Sequence, residues 1–258
     1  MRICCLSDTH GRRVEVPEAD LLLHAGDLTG RGTLGEVEAA HAWLASLPHR
    51  HKVVIAGNHD FAFEREPAKA RALMTGVTYL EDEEVGIEGL RIWGSPWQPW
   101  FYDWAFNLPR GAALREKWAL IPAGIDVLVT HGPPHGILDR VHRGDDVGCE
   151  ELLAAVRRLR PRLHVFGHIH EAYGQVERDG VQFVNASTCT LAYEPSNAPI
   201  LVDLAPRAPR SMPSVRLEPR AIGASRPAQR VRSAGTGPYS LGSRPWEGAP
   251  CPYVVTCS

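Results

Sequence analysis

Five short motifs are spread along this chain: Asp8-Thr9-His10, Gly26-Asp27, Gly57-Asn58-His59-Asp60, Thr130-His131-Gly132 and Gly167-His168-Ile169-His170. From them come two carboxylates (Asp8, Asp27), one amide oxygen (Asn58) and four imidazoles (His10, His131, His168, His170), a donor set for two adjacent divalent ions. Asp8 and His10 are two apart, as are His168 and His170, so both side chains of a pair can turn into one crevice. A carboxylate has two oxygens, so Asp27 can bridge two cations, and the small Gly26 before it lets the backbone bend there. Mixed nitrogen and oxygen ligation without Cys suits Mn, Fe, Zn or Co. A two-metal site splits phosphate esters. Such ions lower the pKa of a bound water from about 15.7 toward ~7, roughly 12 kcal/mol toward a nucleophile at neutral pH.

These residues are far apart in sequence, so strands must bring them together. Each motif follows a short apolar run, and in an open α/β sheet the carboxyl ends of strands converge on one crevice. The runs are Arg2–Ser7, Asp20–Ala25, His51–Ala56, Ile125–Thr130 and Arg162–Phe166. Asp20–Ala25 is apolar enough to be buried on both faces. Between the second and third, Leu34, Val37, Ala40, Leu44 and Leu47 recur at helical spacing and predict a helix over Thr33–Leu47. Further helices are expected at Pro67–Met74, Ala112–Leu120 and Cys149–Leu159, the last with arginines favourable at its negative end. Val77–Leu80, Glu84–Ile87 and Leu90–Trp93 read as a small antiparallel meander. Tyr173–Glu177 and Val181–Ala186 flank an Arg178-Asp179-Gly180 hairpin turn, and Ile200–Leu204 closes the body.

Composition divides the chain at residue 205. Residues 205–258 hold nine Pro and five Gly without periodicity, which predicts a disordered tail. They carry eight Arg against Glu218 and Glu247, about +6, so with a net charge of -2 the first 204 residues carry about -8. An acidic body argues against nucleic-acid binding by its surface. An Arg/Pro-rich arm that binds nucleic acid or an acidic partner is the sharper alternative for the tail. The six Cys form no CxxC pair and read as small apolar residues of a reduced, cytoplasmic protein. No apolar run reaches the ~20 residues of a membrane span.

The motifs D-x-H, GD, GNHD and the two later His motifs resemble the calcineurin-like metallophosphoesterase superfamily. Its GNH[DE] stands here as Gly57-Asn58-His59-Asp60 and its GHxH as Gly167-His168-Ile169-His170, while Thr130 replaces the usual Gly before His131. HAGDLT, WGSPWQPWFYDWAFNLPRG and THGPPHGILD are similar to the MPPED-type branch, small enzymes related to class III cyclic nucleotide phosphodiesterases. The resemblance implies an α/β fold, a four-layer αββα sandwich with two mixed β-sheets, over residues 1–204. It places Asp8, His10, Asp27 and His170 on one metal, and Asp27, Asn58, His131 and His168 on the other. His59 would face the phosphate as a non-ligand catalytic histidine, with Asn58 beside it and Asp60 orienting it. The implied activity is hydrolysis of a small phosphodiester, cyclic nucleotides included, by in-line attack of a metal-bridging hydroxide. Two carboxylates and a hydroxide against two divalent ions leave about +1, which mildly favours a diester monoanion. A phosphomonoesterase and a non-catalytic binding platform are the rivals. Gly26-Asp27-Leu28-Thr29-Gly30-Arg31-Gly32 departs from the GDxVDRG of protein phosphatases. The partner implied is a small-molecule phosphodiester, with neither membrane nor nucleic acid; a dimer is compatible.

Around the motifs, residues 93–106 hold seven aromatic rings. They could stack a substrate ring or pack the meander; Trp97 and Trp100, each preceded by Pro, are the candidates for a wall. His135 is either a phosphate contact or a loop histidine, and Asn107 either meets a phosphate or caps a turn. His24 and His164 lie inside apolar strands and read as core histidines, while His41, His49, His51 and His142 read as solvated.

Overall fold

A computed structural model describes residues 1–205. The tail expectations concern residues outside the described part. In chain order the elements are β1 (Arg2–Leu6), β2 (Leu21–Ala25), α1 (Leu34–Ser46), β3 (His51–Ile55), α2 (Phe61–Arg65), α3 (Pro67–Leu73), β4 (Thr78–Tyr79), β5 (Glu83–Ile87), β6 (Leu90–Ser95), β7 (Gln98–Pro99), β8 (Asn107–Leu108), α4 (Ala112–Ala119), β9 (Val127–Thr130), α5 (Glu150–Leu159), β10 (Leu163–Phe166), β11 (Gly174–Arg178), β12 (Val181–Asn185) and β13 (Ile200–Asp203).

Apart from the parallel pair β7-β8, the strands form two mixed sheets, ordered β13-β1-β2-β3-β4 and β11-β12-β10-β9-β6-β5. In the first, β1 to β4 run parallel and β13 lies antiparallel to β1. In the second, β12, β10, β9 and β6 run parallel, with β11 and β5 antiparallel at the edges. Side chains alternate along a strand, so each central strand feeds two layers. Ile3, Cys5, Leu23, Val53 and Ile55 meet Ile92, Val127, Val129, Val165 and Val184 between the sheets. Cys4, Leu6, Leu22 and Val54 face outward against Val37 and Leu44 of α1, Phe63 of α2 and Ala70 of α3. Trp93, Leu128, Phe166 and Phe183 face the other way against Leu114 and Trp118 of α4 and Leu152 and Val156 of α5. The result is an αββα sandwich. Among the described residues no helix is long and apolar enough to cross a membrane.

Local chemistry sets the element ends. Thr33 and Glu36 form a reciprocal capping box at the start of α1. Asp179-Gly180, with φ of 54° and 75°, makes the two-residue turn of the β11–β12 hairpin. Cys4 and Cys5 do point to opposite faces, and burial pushes the Cys4 thiol up to about 12. The expected meander is absent: Thr78–Tyr79 joins the first sheet beside β3, and only β5 and β6 pair as a hairpin in the second. Leu80 and Gly94 lie where the two sheets meet, and a side chain at Gly94 would collide with Ile55 and Leu80. α2 escaped the sequence reading because five residues are too few to show periodicity. His49 is buried, against the solvated reading, with Nε2 on Pro17 O at 3.0 Å.

Leu23 is fully buried between the sheets. Leu23→Ala should lower the unfolding free energy by about 2–5 kcal/mol, read by urea titration of tryptophan fluorescence. A loss much below ~1 kcal/mol would mean that this layer is loosely packed.

Candidate metal centre

All five motifs lie just past the carboxyl ends of parallel strands: Asp8 after β1, Asp27 after β2, Asn58 after β3, His131 after β9 and His168 after β10. The chain reverses sharply there. Asp8, His10, Asp27 and His168 have φ of 53°, 45°, 54° and 67°, a left-handed backbone costing of order 1 kcal/mol each. Ladder-like bonds hold the turns, including Asp8 N to Gly26 O (2.9 Å), His10 N to Asp27 O (2.9 Å) and Gly167 N to His131 O (2.9 Å). Two motif glycines are explained by close approach: a Cβ at Gly57 would run into the Asp27 carboxylate and the His131 ring, and one at Gly167 into Asp8 and Ser7.

The donors converge. Asp8 Oδ1 lies 3.2 Å from His170 Nε2, and that nitrogen lies 3.4 Å from His10 Nε2. Asp27 turns Oδ2 toward His10 Nε2 (3.7 Å) and Oδ1 toward His131 Nε2 (3.5 Å), so its two oxygens address two sides. Asn58 Oδ1 sits 2.8 Å from both His131 Nε2 and His168 Nδ1. Asp8, His10 and His170 form one tight group, and Asp8, Asp27 and His131 another.

The electrostatics of this cluster call for positive charge. Burial pushes Asp27 well above the usual carboxylate range, and the charges of Asp8 and Asp60 push it further. Burial acts on Asp8 in the same direction, but hydrogen bonding to His170 and the surrounding imidazoles hold it well below. His170 is lowered by burial yet lifted to about 9 by its hydrogen bond to Asp8 and the charge of that carboxylate. Burial drives His10 and His168 down to about 3, which keeps them neutral and able to ligate. The His131 Nδ1–H faces Ala25 O at 3.0 Å, which leaves Nε2 a lone pair aimed at another acceptor, Asn58 Oδ1. Two acceptors turned on each other fit a cation between them. The donor set, its charge and its second-nitrogen anchors (Ala25 O, Thr190 O) all suit divalent ions.

Supporting residues absent from the sequence reading complete the picture. Ser187 Oγ donates to Asp8 Oδ2 at 2.9 Å, and the Ser187 backbone N–H donates to Asn185 Oδ1 at 3.1 Å. Asn185 Nδ2 donates to Leu138 O and Ile169 O, tying the loops around the site. Asn185 ends β12 and Ala186-Ser187 follow it, as the other motifs follow their strands, a signal that the sequence carries. The buried core histidines act as buttresses: His24 meets Thr9 Oγ1 at 3.0 Å, and His164 meets Thr130 Oγ1 at 2.8 Å. Thr130 also donates to Gly132 O, so the residue replacing the usual Gly is used to brace the His131 turn.

His59 Nδ1–H donates to Gly30 O at 2.8 Å, which leaves Nε2 for the cavity. Trp104 stacks on its ring at 4.1 Å. Asp60 does not touch that ring, contrary to the expectation that it orients His59. Its carboxylate accepts from Leu28 N, Thr29 N, Thr29 Oγ1 and Gly57 N, and so ties the Asp27 turn to the Asn58 turn.

A cavity of about 660 Å³ opens over Asp27, Asn58, His59, His168 and His170. Trp100 lines it; Trp97 and His135 do not. The Trp97 indole N–H is bound to Asp82, its ring packs on Phe106 and Lys117 lies over it, so it is a packing residue. His135 is placed near Asp139, at 3.7 Å. Asn107 holds the aromatic loop, donating to Tyr102 O and Trp104 O. His142, expected in solvent only, lines the cavity, as do Phe101, Tyr102, Trp104 and Tyr193.

Two outcomes follow from this geometry. Asp27→Asn should raise the melting temperature of the metal-free protein and lower that of the metal-loaded protein, by calorimetry. The sign is set by linkage: a carboxyl that titrates higher folded than unfolded adds stability only at acid pH, and its charge costs stability above its folded value. Ser187→Ala should weaken metal binding about 10- to 100-fold, measured by titration calorimetry; unchanged affinity would show that Asp8 needs no such brace.

Comparison with known proteins agrees with this site. The profile of the Calcineurin-like phosphoesterase family matches residues 1–172. The chain is 50% identical over 230 residues to Metallophosphoesterase domain-containing protein 1 of Homo sapiens, covering 79% of this chain and 71% of that one. It is 39% identical over 228 residues to a UPF0046 protein of Caenorhabditis elegans, covering 79% of this chain and 81% of that one. One solved structure matches with a TM-score of 0.58 at 14% identity, over 71% of this chain and 89% of that one, a likeness of fold. Motifs, fold and relatives agree, and the chain belongs to the calcineurin-like phosphoesterase family of metal-dependent phosphoester hydrolases.

Proposed function

We propose that this chain is a phosphodiesterase with a dinuclear centre, acting on small diesters, cyclic nucleotides among them. The observation that carries the reading is Asp27, whose two oxygens face His10 and His131 on opposite sides of one buried cluster. Asp8, His10, Asp27 and His170 would hold one ion, and Asp27, Asn58, His131 and His168 the other. Bound there, two divalent ions supply Lewis acidity toward phosphoryl oxygens and a nucleophile at neutral pH.

The chain's own residues do the rest. Asn58 and the donors fix the phosphate against the strand ends. The His59 Nδ1–H bond to Gly30 O points Nε2 at the cavity, where it can carry a proton to the leaving oxygen. Trp104, stacked on one face, and Tyr193 and His10, edge-on, keep that ring from rotating away. The cavity is also lined by Pro99 to Tyr102, by Trp104, by Val141 to Arg143, and by Val147 and Gly148. A diester has two substituents to place, and a volume of about 660 Å³ exceeds what one phosphate needs. Trp100, Phe101 and Tyr102 offer ring faces for one of them.

The test is hydrolysis of bis(p-nitrophenyl) phosphate against p-nitrophenyl phosphate, with metal-stripped and Mn-loaded protein. Diester turnover should be the faster, should need metal, and should fall by at least ~10²-fold in His59→Ala. Monoester preference would move the assignment to a phosphatase, and no turnover of either with metal bound would leave a binding platform.

A further inference from the structure

The cavity is far larger than one phosphate needs, about 660 Å³, and its walls differ in kind. Trp100, Phe101, Tyr102, Trp104 and Tyr193 line part of it with rings. A second stretch of wall carries Arg110, His142 and Arg143. We propose that this second wall is a subsite for a second anionic group, so that the preferred substrate is a phosphodiester bearing another phosphate or carboxylate away from the scissile one. The proposal rests on the phosphodiesterase reading and narrows its substrate class.

Arg143 is carried there by a small built hairpin. Arg140 pairs with both carboxylate oxygens of Asp146, at 2.8 and 3.0 Å. Val141 N donates to Asp145 O at 3.0 Å, and Gly144 N to Val141 O at 2.8 Å. Gly144 supplies the left-handed turn, with φ of 91°. The base is pinned because Asp139 Oδ2 accepts from both Gly136 N and Gly148 N at 2.8 Å, and Asn185 Nδ2 reaches Leu138 O at 3.1 Å. His142 and Arg143 therefore sit at the tip of an internally bonded hairpin.

The charges on this wall are unequal. Arg110 is held by Val147 O, Gly148 O and Glu150, so it shapes the wall while sharing its charge. Among the described residues Arg143 meets Asp145 alone, at 4.0 Å, with side chains 85% and 67% exposed. A pair that loose leaves the guanidinium available to a ligand. Glu171 also lines the cavity here, and it accepts the His142 backbone N–H. The body as a whole carries about -8 and repels anions at a distance. A loosely paired guanidinium lining the cavity that must accept an anion is therefore selective, because it attracts ligands with charge beyond the scissile phosphate.

Two chromogenic esters isolate the effect: thymidine 5′-(p-nitrophenyl phosphate) and the same ester with a 3′-phosphate. With the Mn-loaded full chain, the 3′-phosphate should lower KM about tenfold with little change in kcat, an advantage that shrinks as salt rises. Arg143→Glu should bring the ratio of the two kcat/KM values close to one. Arg157→Glu, the same charge change on α5 and outside the cavity, should keep it. Calorimetric binding of both esters reads the subsite even without cleavage. About tenfold tighter binding of the 3′-phosphate ester, lost in Arg143→Glu, supports the subsite. Equal affinities, or an advantage that survives Arg143→Glu, overturn it. Absence of cleavage with the affinity difference intact counts only against the phosphodiesterase reading.

Discussion

The buried carboxylate of Asp8 is the joint on which the site depends. It belongs to the first sheet, yet it accepts from His168 N at 3.0 Å and from Ser187 Oγ at 2.9 Å, both on turns leaving the second sheet. Ser7 and Ser187 pair across the same seam, and Thr188 N donates to Ser7 O at 2.8 Å. A charge buried between two sheets is unfavourable unless it is bonded on every side. Here those bonds also align the turns that carry His168 and His170. The requirement to satisfy one anion thus sets the relative position of the two halves of the donor set.

Around that joint the residues divide their tasks. Asp60 ties backbone to backbone and carries the geometry of two turns. Asp27 remains short of hydrogen bonds, with His59 N as its backbone donor at 2.8 Å, and so retains lone pairs for ligation. The difference between these two aspartates lies in the number of donors around each, since both are buried. Farther out, the aromatic loop and the 140–146 hairpin line the cavity with different chemistry. A ring face and a guanidinium would discriminate among ligands that the metal donors alone would treat alike.

The donors themselves were legible because ligands must leave strand ends in short polar motifs, and the sandwich was legible through the resemblance those motifs carry. The roles of their supports were less so. Asp60 reads as a partner of the adjacent His59, but only the fold shows it bonded to Leu28 and Thr29, about thirty residues earlier. Trp97 and Trp100 share a Pro-flanked context, and burial alone separates packing residue from cavity wall. β4 reads as part of a meander because its neighbours in sequence are strands, while its pairing is decided by which sheet edge lies within reach. His142 reads as a solvated loop histidine until the hairpin closed by the Arg140–Asp146 pair brings it to the cavity wall.

The pairing of β13 with β1 has a consequence in time. Arg2 lies opposite Asp203, so the outer edge of the first strand finds its partner only when two hundred residues have been made. At ribosomal rates of about 5–20 residues per second that interval is roughly 10–40 s. Throughout it, the apolar β1 presents an unpaired backbone edge, a surface prone to pairing with other chains. The half of the domain that emerges first is therefore the half that must be shielded longest, and its survival during synthesis falls to whatever binds nascent chains.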